Sequence, residues 1–288
     1  MHLGAPAPDS VVVKAADGVS VAVHDLGGGD HRPLILMAHA AGFHGRVWGP
    51  VADGLNERFH CFALDFRGHG ESETPATGRV DFARLTADVL AAVDHFGGQP
   101  CFGVGHSSGA TALLLAEAVR PRSLAAIWCW EPAIVPADPP LGSDPDNWLA
   151  AATRRRRTTF PSASAALDAY RHRPGFAGVR EDVLTAYVTH GLRPDAKGGV
   201  ELRCSPDLEA QIYETASGHD CFRRLADIVC PVVLARGQES EAFPPATAAA
   251  VLRRLTYARE QVLRGLGHLG PLEDPNAVAR AILAALGD

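Results

Sequence analysis

Residues 101–119 read CFGVGHSSGATALLLAEAV and are the most informative stretch of the chain. The first four residues predict a short buried strand, and Ala110–Val119 predicts a buried helix. Between them, Gly105, Ser107 and Gly109 match the pattern G-x-S-x-G, which places a serine at the tip of a sharp turn from strand to helix. Small residues two positions on either side let neighbouring backbone pass close to the turn. This context indicates that Ser107 is a nucleophile.

The same turn predicts a binding site for an anion. The helix that follows Ser107 begins with unpaired backbone N–H groups, which favour negative charge, so we expect the Ser108 N–H to hold an oxyanion. A second donor is expected in residues 39–45, HAAGFHG, a glycine-containing loop that follows the apolar run Leu34–Ala38. We assign this role to the Ala41 N–H, because small side chains there let the backbone approach a substrate. Each such donor typically contributes ~10²–10³ in rate.

A serine hydroxyl needs a base, and His268 is the strongest candidate among the 13 histidines. It lies in the loop GLGHLGP, residues 265–271, after a short predicted strand and before the last predicted helix. Such a loop can bring an imidazole over the edge of a sheet to a serine that is distant in sequence. Four further side chains are expected to contact the substrate: His39, Phe43, His106 and Trp130.

Strand-like and helix-like segments alternate on both sides of Ser107. Continuous apolar runs predict strands that are buried on both faces, at Leu34–Ala38, Phe59–Leu64, Cys101–Val104, Leu124–Trp130 and Ile228–Ala235. Helical spacing of apolar residues predicts helices between them, for example over Asp81–Phe96. The sequence therefore predicts an α/β protein with a mostly parallel sheet.

One insert interrupts this alternation. Four prolines between residues 132 and 140 end the pattern, and the segment up to residue 222 is polar, with helical spacing. We therefore predict a core of residues 1–132 and 223–288 and a helical cap of residues 133–222. The cap contains Arg154–Arg157, which is either a solvated helix end or a clamp for an acidic substrate.

These motifs resemble the α/β-hydrolase superfamily over nearly the full length of the chain. The matching pieces are residues 39–42 (HAAG), residues 65–72 (DFRGHGES), the turn at Ser107 and the dipeptide Gly267-His268. In that family the nucleophile precedes the histidine in the chain, as it does here. The resemblance implies a twisted, mostly parallel sheet with flanking helices and an inserted helical cap. It also implies that residues 65–72 are structural.

The carboxylate that would complete such a site is left open. In the family it usually follows the first strand after the insert, in a G-x-x-D pattern, but the third position after Gly237 is Ser240. The second location known in the fold is the end of the strand after the serine helix. There Glu131 follows an apolar run, and relatives of the haloalkane dehalogenase type carry their acid at this position. The pattern favours Glu131, with Glu239 or Glu241 as the alternative.

The type of nucleophile restricts the reaction. A serine supports acyl transfer, whereas relatives that open epoxides or remove halides carry aspartate at this turn. We therefore predict a serine hydrolase that needs no cofactor and no metal. It would cleave a carboxyl ester or lactone of a small apolar substrate through an acyl-enzyme. The alternatives are C–C bond hydrolysis or cofactor-free perhydrolysis with the same three residues, and a ligand-binding receptor of the same fold without turnover.

Composition argues against several classes of partner. The net charge of -6 argues against nucleic acid, which needs a basic face, and no mainly apolar stretch reaches the ~20 residues of a membrane span. The six cysteines include no CxxC pair, which indicates reduced thiols, and the first residues lack the pattern of a signal peptide. We expect a cytoplasmic protein whose partner is a small-molecule substrate, and the sequence leaves a homodimer open.

Overall fold

The computed structural model of the protein describes residues 9–97 and 101–287. The first residues, for which no signal peptide is expected, lie outside these ranges. The strands are β1 (Ser10–Lys14), β2 (Ser20–Asp25), β3 (Leu34–Ala38), β4 (His60–Leu64), β5 (Cys101–His106), β6 (Leu124–Trp130), β7 (Thr159–Phe160), β8 (Leu192–Pro194), β9 (Val200–Leu202), β10 (Val232–Gly237) and β11 (Ala258–Leu263). The α-helices are α1 (Gly49–Asp53), α2 (Phe82–His95), α3 (Ser108–Val119), α4 (Trp148–Arg154), α5 (Ala163–Arg171), α6 (Glu181–Gly191), α7 (Pro206–Thr215), α8 (Cys221–Arg224), α9 (Pro245–Leu252), α10 (Gly270–Glu273) and α11 (Pro275–Leu286).

The larger sheet has eight strands in the order β1-β2-β4-β3-β5-β6-β10-β11. Strand β2 pairs antiparallel with β1 and β4, and the remaining neighbours are parallel. One apolar cluster covers one face with α2 and α3, and a second covers the other face with α1 and α11. Because both faces are covered, the central strands are nearly all apolar, which made them visible in the sequence. The predicted α/β class with a mostly parallel sheet and flanking helices is confirmed.

The two helices around the serine turn differ in their surroundings. Helix α2 begins where the Asp81 side chain accepts a hydrogen bond from the Arg84 N–H, and it buries one apolar face. Helix α3 is apolar on all sides and is buried along almost its whole length. It lies against β3, β5 and β6 and contacts α2 and α8. The α3 N-terminus is therefore held from several directions at the middle of the sheet.

The insert between β6 and β10 holds more than helices. It contains α4 to α8 and a small antiparallel sheet in the order β7-β9-β8. The apolar spacing of this segment predicted helices only. Strands of two or three residues are too short to show an alternating pattern, so this sheet was not predicted. The turn before β9 uses Gly198 and Gly199, both with positive φ (91° and 86°). In α8, Cys221 and Phe222 pack into the same apolar cluster as α3.

The carboxyl ends of β3, β5, β6 and β10 lie along one edge of the sheet, because these strands are parallel neighbours. Ser107 directly follows β5 and Glu131 directly follows β6. The Ser107 N–H donates to the Trp130 carbonyl at 2.9 Å, so the two strand ends are joined. Ligand sites in open parallel sheets lie outside this edge, and Ser107 and Glu131 both lie there.

Candidate active site

Ser107 sits in a strained turn whose neighbours must be small. Its φ and ψ are 53° and -118°, in a region that non-glycine residues rarely adopt. A Cβ added at Gly105 would lie 2.6 Å from the Ala110 Cα, and one added at Gly109 would lie 2.4 Å from the Ala38 carbonyl oxygen. The glycines predicted from the sequence are therefore required by backbone contacts on both sides of the turn. Ser107 itself is only partly buried.

Glu131 forms the centre of a hydrogen-bond network at the end of β6. Its side chain is fully buried, and its Oε2 lies 2.7 Å from His268 Nδ1. The same oxygen accepts a hydrogen bond from the Ser240 hydroxyl at 2.7 Å, and Oε1 accepts one from the Gly237 N–H at 2.8 Å. A buried carboxylate needs such partners. All three come from segments far from Glu131 in the chain.

The other two carboxylates that the sequence left open do not reach His268. Glu239 and Glu241 are both exposed, and Glu131 is the residue that contacts the imidazole. The contact of Ser240 with Glu131 was not predicted, although this serine stands where the family usually carries its acid. Its hydroxyl instead donates to Glu131, the carboxylate that contacts His268.

Trp130 packs against the loop of His268 and holds it in place. The Trp130 indole N–H donates to the His268 carbonyl at 2.8 Å, and a Cβ at Gly270 would lie 2.2 Å from the Trp130 ring. The ring of His268 is 4.9 Å from the ring of His106, the residue before Ser107. Because a carboxylate accepts only, His268 Nδ1 carries the hydrogen, and in the neutral ring Nε2 keeps its lone pair. The His268 side chain is 34% exposed.

The two backbone donors predicted for an oxyanion lie on adjoining segments. Ser108 is the first residue of α3 and Ala41 lies in the loop after β3. This loop packs on the first turn of α3, because the carbonyl oxygens of Ala38 and His39 are the closest atoms to Gly109. Within residues 9–97 and 101–287, neither the Ala41 nor the Ser108 N–H has a hydrogen-bond acceptor. Neither N–H group is thus paired within the described protein, although both residues are buried.

A buried aspartate holds the loop after β3 in place. Asp65 accepts hydrogen bonds from the Gly45 N–H at 2.6 Å and the Glu71 N–H at 2.7 Å, and it pairs with His24 at 2.8 Å. Burial opposes ionisation of Asp65, but His24 outweighs it and keeps the pKa of this carboxyl below its ordinary value. The stretch 65–72 is thus structural here, as its resemblance implied.

Three of the four side chains expected to contact a substrate are buried instead. Both imidazole nitrogens of His39 form hydrogen bonds with backbone groups: Nδ1–H donates to the Ala40 carbonyl, and Nε2 accepts from the Phe66 N–H. Burial lowers its pKa to about 3. Trp130 is fully buried under the His268 loop and His106 is buried beside it. His39, His106 and Trp130 therefore pack beneath the site. Phe43 is partly exposed and is the one of the four that is not buried.

In the part of the chain that the structure describes, no three His, Cys, Asp or Glu side chains are grouped as metal ligands. No described helix has the length and apolar composition to cross a bilayer. All six cysteine side chains are buried as free thiols.

Comparison with known proteins supports the fold. The model of the alpha/beta hydrolase family matches residues 35–281. The 2-(acetamidomethylene)succinate hydrolase of Mesorhizobium japonicum is 25% identical over 266 residues, which are 92% of this chain and 90% of that protein. Lipase LipV of Mycobacterium tuberculosis is 35% identical over 100 residues, 35% of this chain and 37% of that protein. The crystal structure of E-2-(acetamidomethylene)succinate hydrolase has the same fold, with a TM-score of 0.81 at 22% identity, and the match covers 97% of this chain and 99% of that one.

Proposed function

The chain belongs to the alpha/beta hydrolase family, and we propose that it is a serine hydrolase that cleaves a carboxyl ester or lactone of a small substrate. The observation that carries this proposal is the contact of 2.7 Å between Glu131 Oε2 and His268 Nδ1, at the strand end next to Ser107. A buried carboxylate that fixes one imidazole nitrogen leaves the other as a base. We assign Ser107, His268 and Glu131 as the catalytic residues.

The proposed reaction proceeds in two halves. His268 Nε2 takes the proton of the Ser107 hydroxyl as the oxygen attacks the carbonyl carbon, and Glu131 stabilises the imidazolium that forms. The Ala41 and Ser108 N–H groups hold the negative oxygen of the tetrahedral intermediate. His268 then protonates the leaving group, and a water molecule repeats the sequence on the acyl-enzyme. In this scheme the insert, residues 133–222, acts as a cap that covers the site and selects the substrate.

A second candidate is cleavage of an amide bond by the same residues. The relative from Mesorhizobium japonicum that aligns over 92% of this chain is named for a substrate with an acetamido group on succinate. Amide and ester cleavage share the attack of serine and the oxyanion, and they differ in the protonation of the leaving group. This candidate predicts release of acetate or another acid from an N-acyl substrate.

The proposed function is tested with p-nitrophenyl esters of short acids and with an N-acyl substrate. We expect ester hydrolysis by the wild type and a fall in kcat of at least ~10³-fold in Ser107→Ala and in His268→Ala. His172→Ala is the matched control for the histidine, since His172 is exposed at the end of α5. Activity that survives in Ser107→Ala would refute the proposal, and a wild type that cleaves only the N-acyl compound would favour the second candidate.

A further inference from the structure

The four consecutive arginines of the insert do not share one environment. Arg154 and Arg157 are exposed: the first pairs with Glu214 and Asp207, and the second lies over the Phe160 ring. Arg155 is exposed as well. Arg156 turns inward, and its side chain is only 9% exposed. A buried guanidinium is costly unless it is paired, so its surroundings require an explanation.

Arg156 faces the loop that carries the proposed oxyanion donor. It lines a small cavity together with Gly42, Phe43 and Tyr187. The Glu209 carboxylate packs so closely on Gly42 that an added Cβ would lie 2.5 Å from it. Gly42 directly follows Ala41 in the chain. The guanidinium therefore lies on the side of the insert that faces the proposed site.

The protein uses the donors of this arginine only in part. Glu209 Oε2 lies 2.5 Å from Arg156 Nη2 and forms an ion pair with it. Within the described residues, however, Nε and Nη2 of Arg156, Glu209 Oε2 and the Tyr170 hydroxyl have no partner in hydrogen-bond geometry. Nε and Nη2 form one edge of the guanidinium, and the spacing of their hydrogens matches the two oxygens of a carboxylate. Arg156 Nε therefore has no acceptor in the described protein and Nη2 has only the Glu209 oxygen, outside hydrogen-bond geometry, so this edge suits a carboxylate that takes the place of Glu209.

The charges around this edge suit an anion that competes with Glu209. Burial alone would lower the pKa of Arg156, but Tyr187, Glu209 and Tyr170 raise it, so the guanidinium is charged. Burial raises the pKa of Tyr187 far above its usual range, so its hydroxyl stays a donor. Glu209 has a second anchor, because its Oε1 accepts from the Tyr213 hydroxyl at 3.0 Å. It can therefore leave Arg156 without losing every partner.

We propose that Arg156 is the subsite for a carboxylate on the acyl part of the substrate, and that Glu209 is an internal counter-ion which this carboxylate displaces. The inference rests on the proposed function and names its substrate class: an ester or amide whose acyl chain ends in a carboxylate.

The test compares two esters of equal chain length, p-nitrophenyl valerate and the mono-p-nitrophenyl ester of glutarate. We expect the wild type to have the higher kcat/KM for the glutarate ester. Arg156→Met should lower the ratio of the two kcat/KM values by about 10- to 100-fold through KM, the loss expected for a charged hydrogen-bonded pair. Glu209→Gln should raise the ratio because the competing charge is removed. Arg154→Met is the matched control and should leave the ratio as in the wild type.

A binding measurement separates this subsite from the chemistry. In the Ser107→Ala background, glutarate should raise Tm and neutral glutaramide should not, and Arg156→Met should abolish the rise. This binding measurement remains valid if no ester is hydrolysed. That result would refute the proposed function but not the subsite. The subsite is refuted if the wild type does not discriminate between the two esters. It is also refuted if Arg156→Met lowers kcat/KM equally for both esters, as the loss of a purely structural ion pair would. A rise in Tm with glutarate that persists in Arg156→Met would also refute it.

Discussion

Ser107 and Glu131 share an unusual backbone conformation. Both have positive φ, 53° and 43°, and each directly follows one of two paired strands. Such strain costs of order 1–3 kcal/mol per residue and persists only where surrounding contacts enforce it. Here the Ser107 N–H donates to the Trp130 carbonyl and the Glu131 N–H to the Ala235 carbonyl. The ladder thus continues one residue beyond each strand and holds both side chains at the edge of the sheet.

The carboxylate of Glu131 is predicted to orient His268 and to stabilise its charged form. Glu131→Gln should lower kcat/KM by about 10³-fold or more, because an amide no longer selects the imidazole tautomer or balances the imidazolium. The double variant Glu239→Gln/Glu241→Gln is the control and should retain wild-type activity, since both side chains are exposed. The measurement is steady-state hydrolysis of a p-nitrophenyl ester. Loss of activity in the control with none in Glu131→Gln would place the acid after β10.

At the scale of elements, the distance between α3 and the loop after β3 decides the geometry of the oxyanion donors. A Cβ at Gly109 would lie 2.4 and 2.5 Å from two backbone carbonyl oxygens, at Ala38 and His39. Backbone cannot yield as a flexible side chain does, so the helix and the loop would have to separate. The Ser108 N–H would then move away from the Ala41 N–H.

Gly109→Ala is therefore expected to lower stability and activity together. The cost of overpacking is about 1–3 kcal/mol in the free energy of unfolding, and kcat should fall because the oxyanion loses part of its coordination. Gly49→Ala is the matched control, since an added Cβ there meets no atom within 4 Å. Urea unfolding and ester hydrolysis measure the two effects. A Gly109→Ala protein as stable and active as the control would contradict this account of the contact.

At the scale of the whole molecule, the packing of core and insert excludes water from several histidines. His44 is an example: burial lowers its pKa from 6.5 to about 4, and its Nε2–H donates to the Tyr187 carbonyl of α6. In the unfolded chain this imidazole takes up a proton near pH 6.5, whereas in the folded protein it stays neutral until about pH 4. Its contribution to stability is therefore complete above pH 6.5 and is lost as the pH falls toward 4.

The His44→Gln variant should be less sensitive to acid than the wild type. An amide can still donate to the Tyr187 carbonyl but binds no proton, so the wild type should lose roughly 3 kcal/mol more stability than the variant between pH 6.5 and 4. Urea unfolding at several pH values measures the difference. His172→Gln, a change at an exposed histidine, is the control and should follow the wild-type curve. Parallel curves for wild type and His44→Gln would show that His44 is not protonated selectively in the unfolded chain.

Local patterns in the chain suffice for the fold and for two of the proposed catalytic residues. The apolar runs of the central strands, the turn at Ser107 and the glycine-rich loop of His268 each depend on residues that are close together in sequence. Strands that are buried on both faces must be apolar, and a serine on a strained turn must have small neighbours. These requirements act locally, so they produce a recognisable sequence pattern that does not depend on distant parts of the chain.

The tertiary structure was needed wherever function depends on residues that are distant in sequence. The sequence favours Glu131 but leaves Glu239 or Glu241 as the alternative. The contact with His268 distinguishes Glu131, because β6 lies between β5 and β10 in the sheet. Likewise, four identical arginines give no sign of which one is buried, because α4 ends at Arg154 and the irregular chain after it turns Arg156 inward. Strand order and burial arise from packing of the whole chain, so partners such as Ser240 and Glu209 become visible only when the fold brings them together.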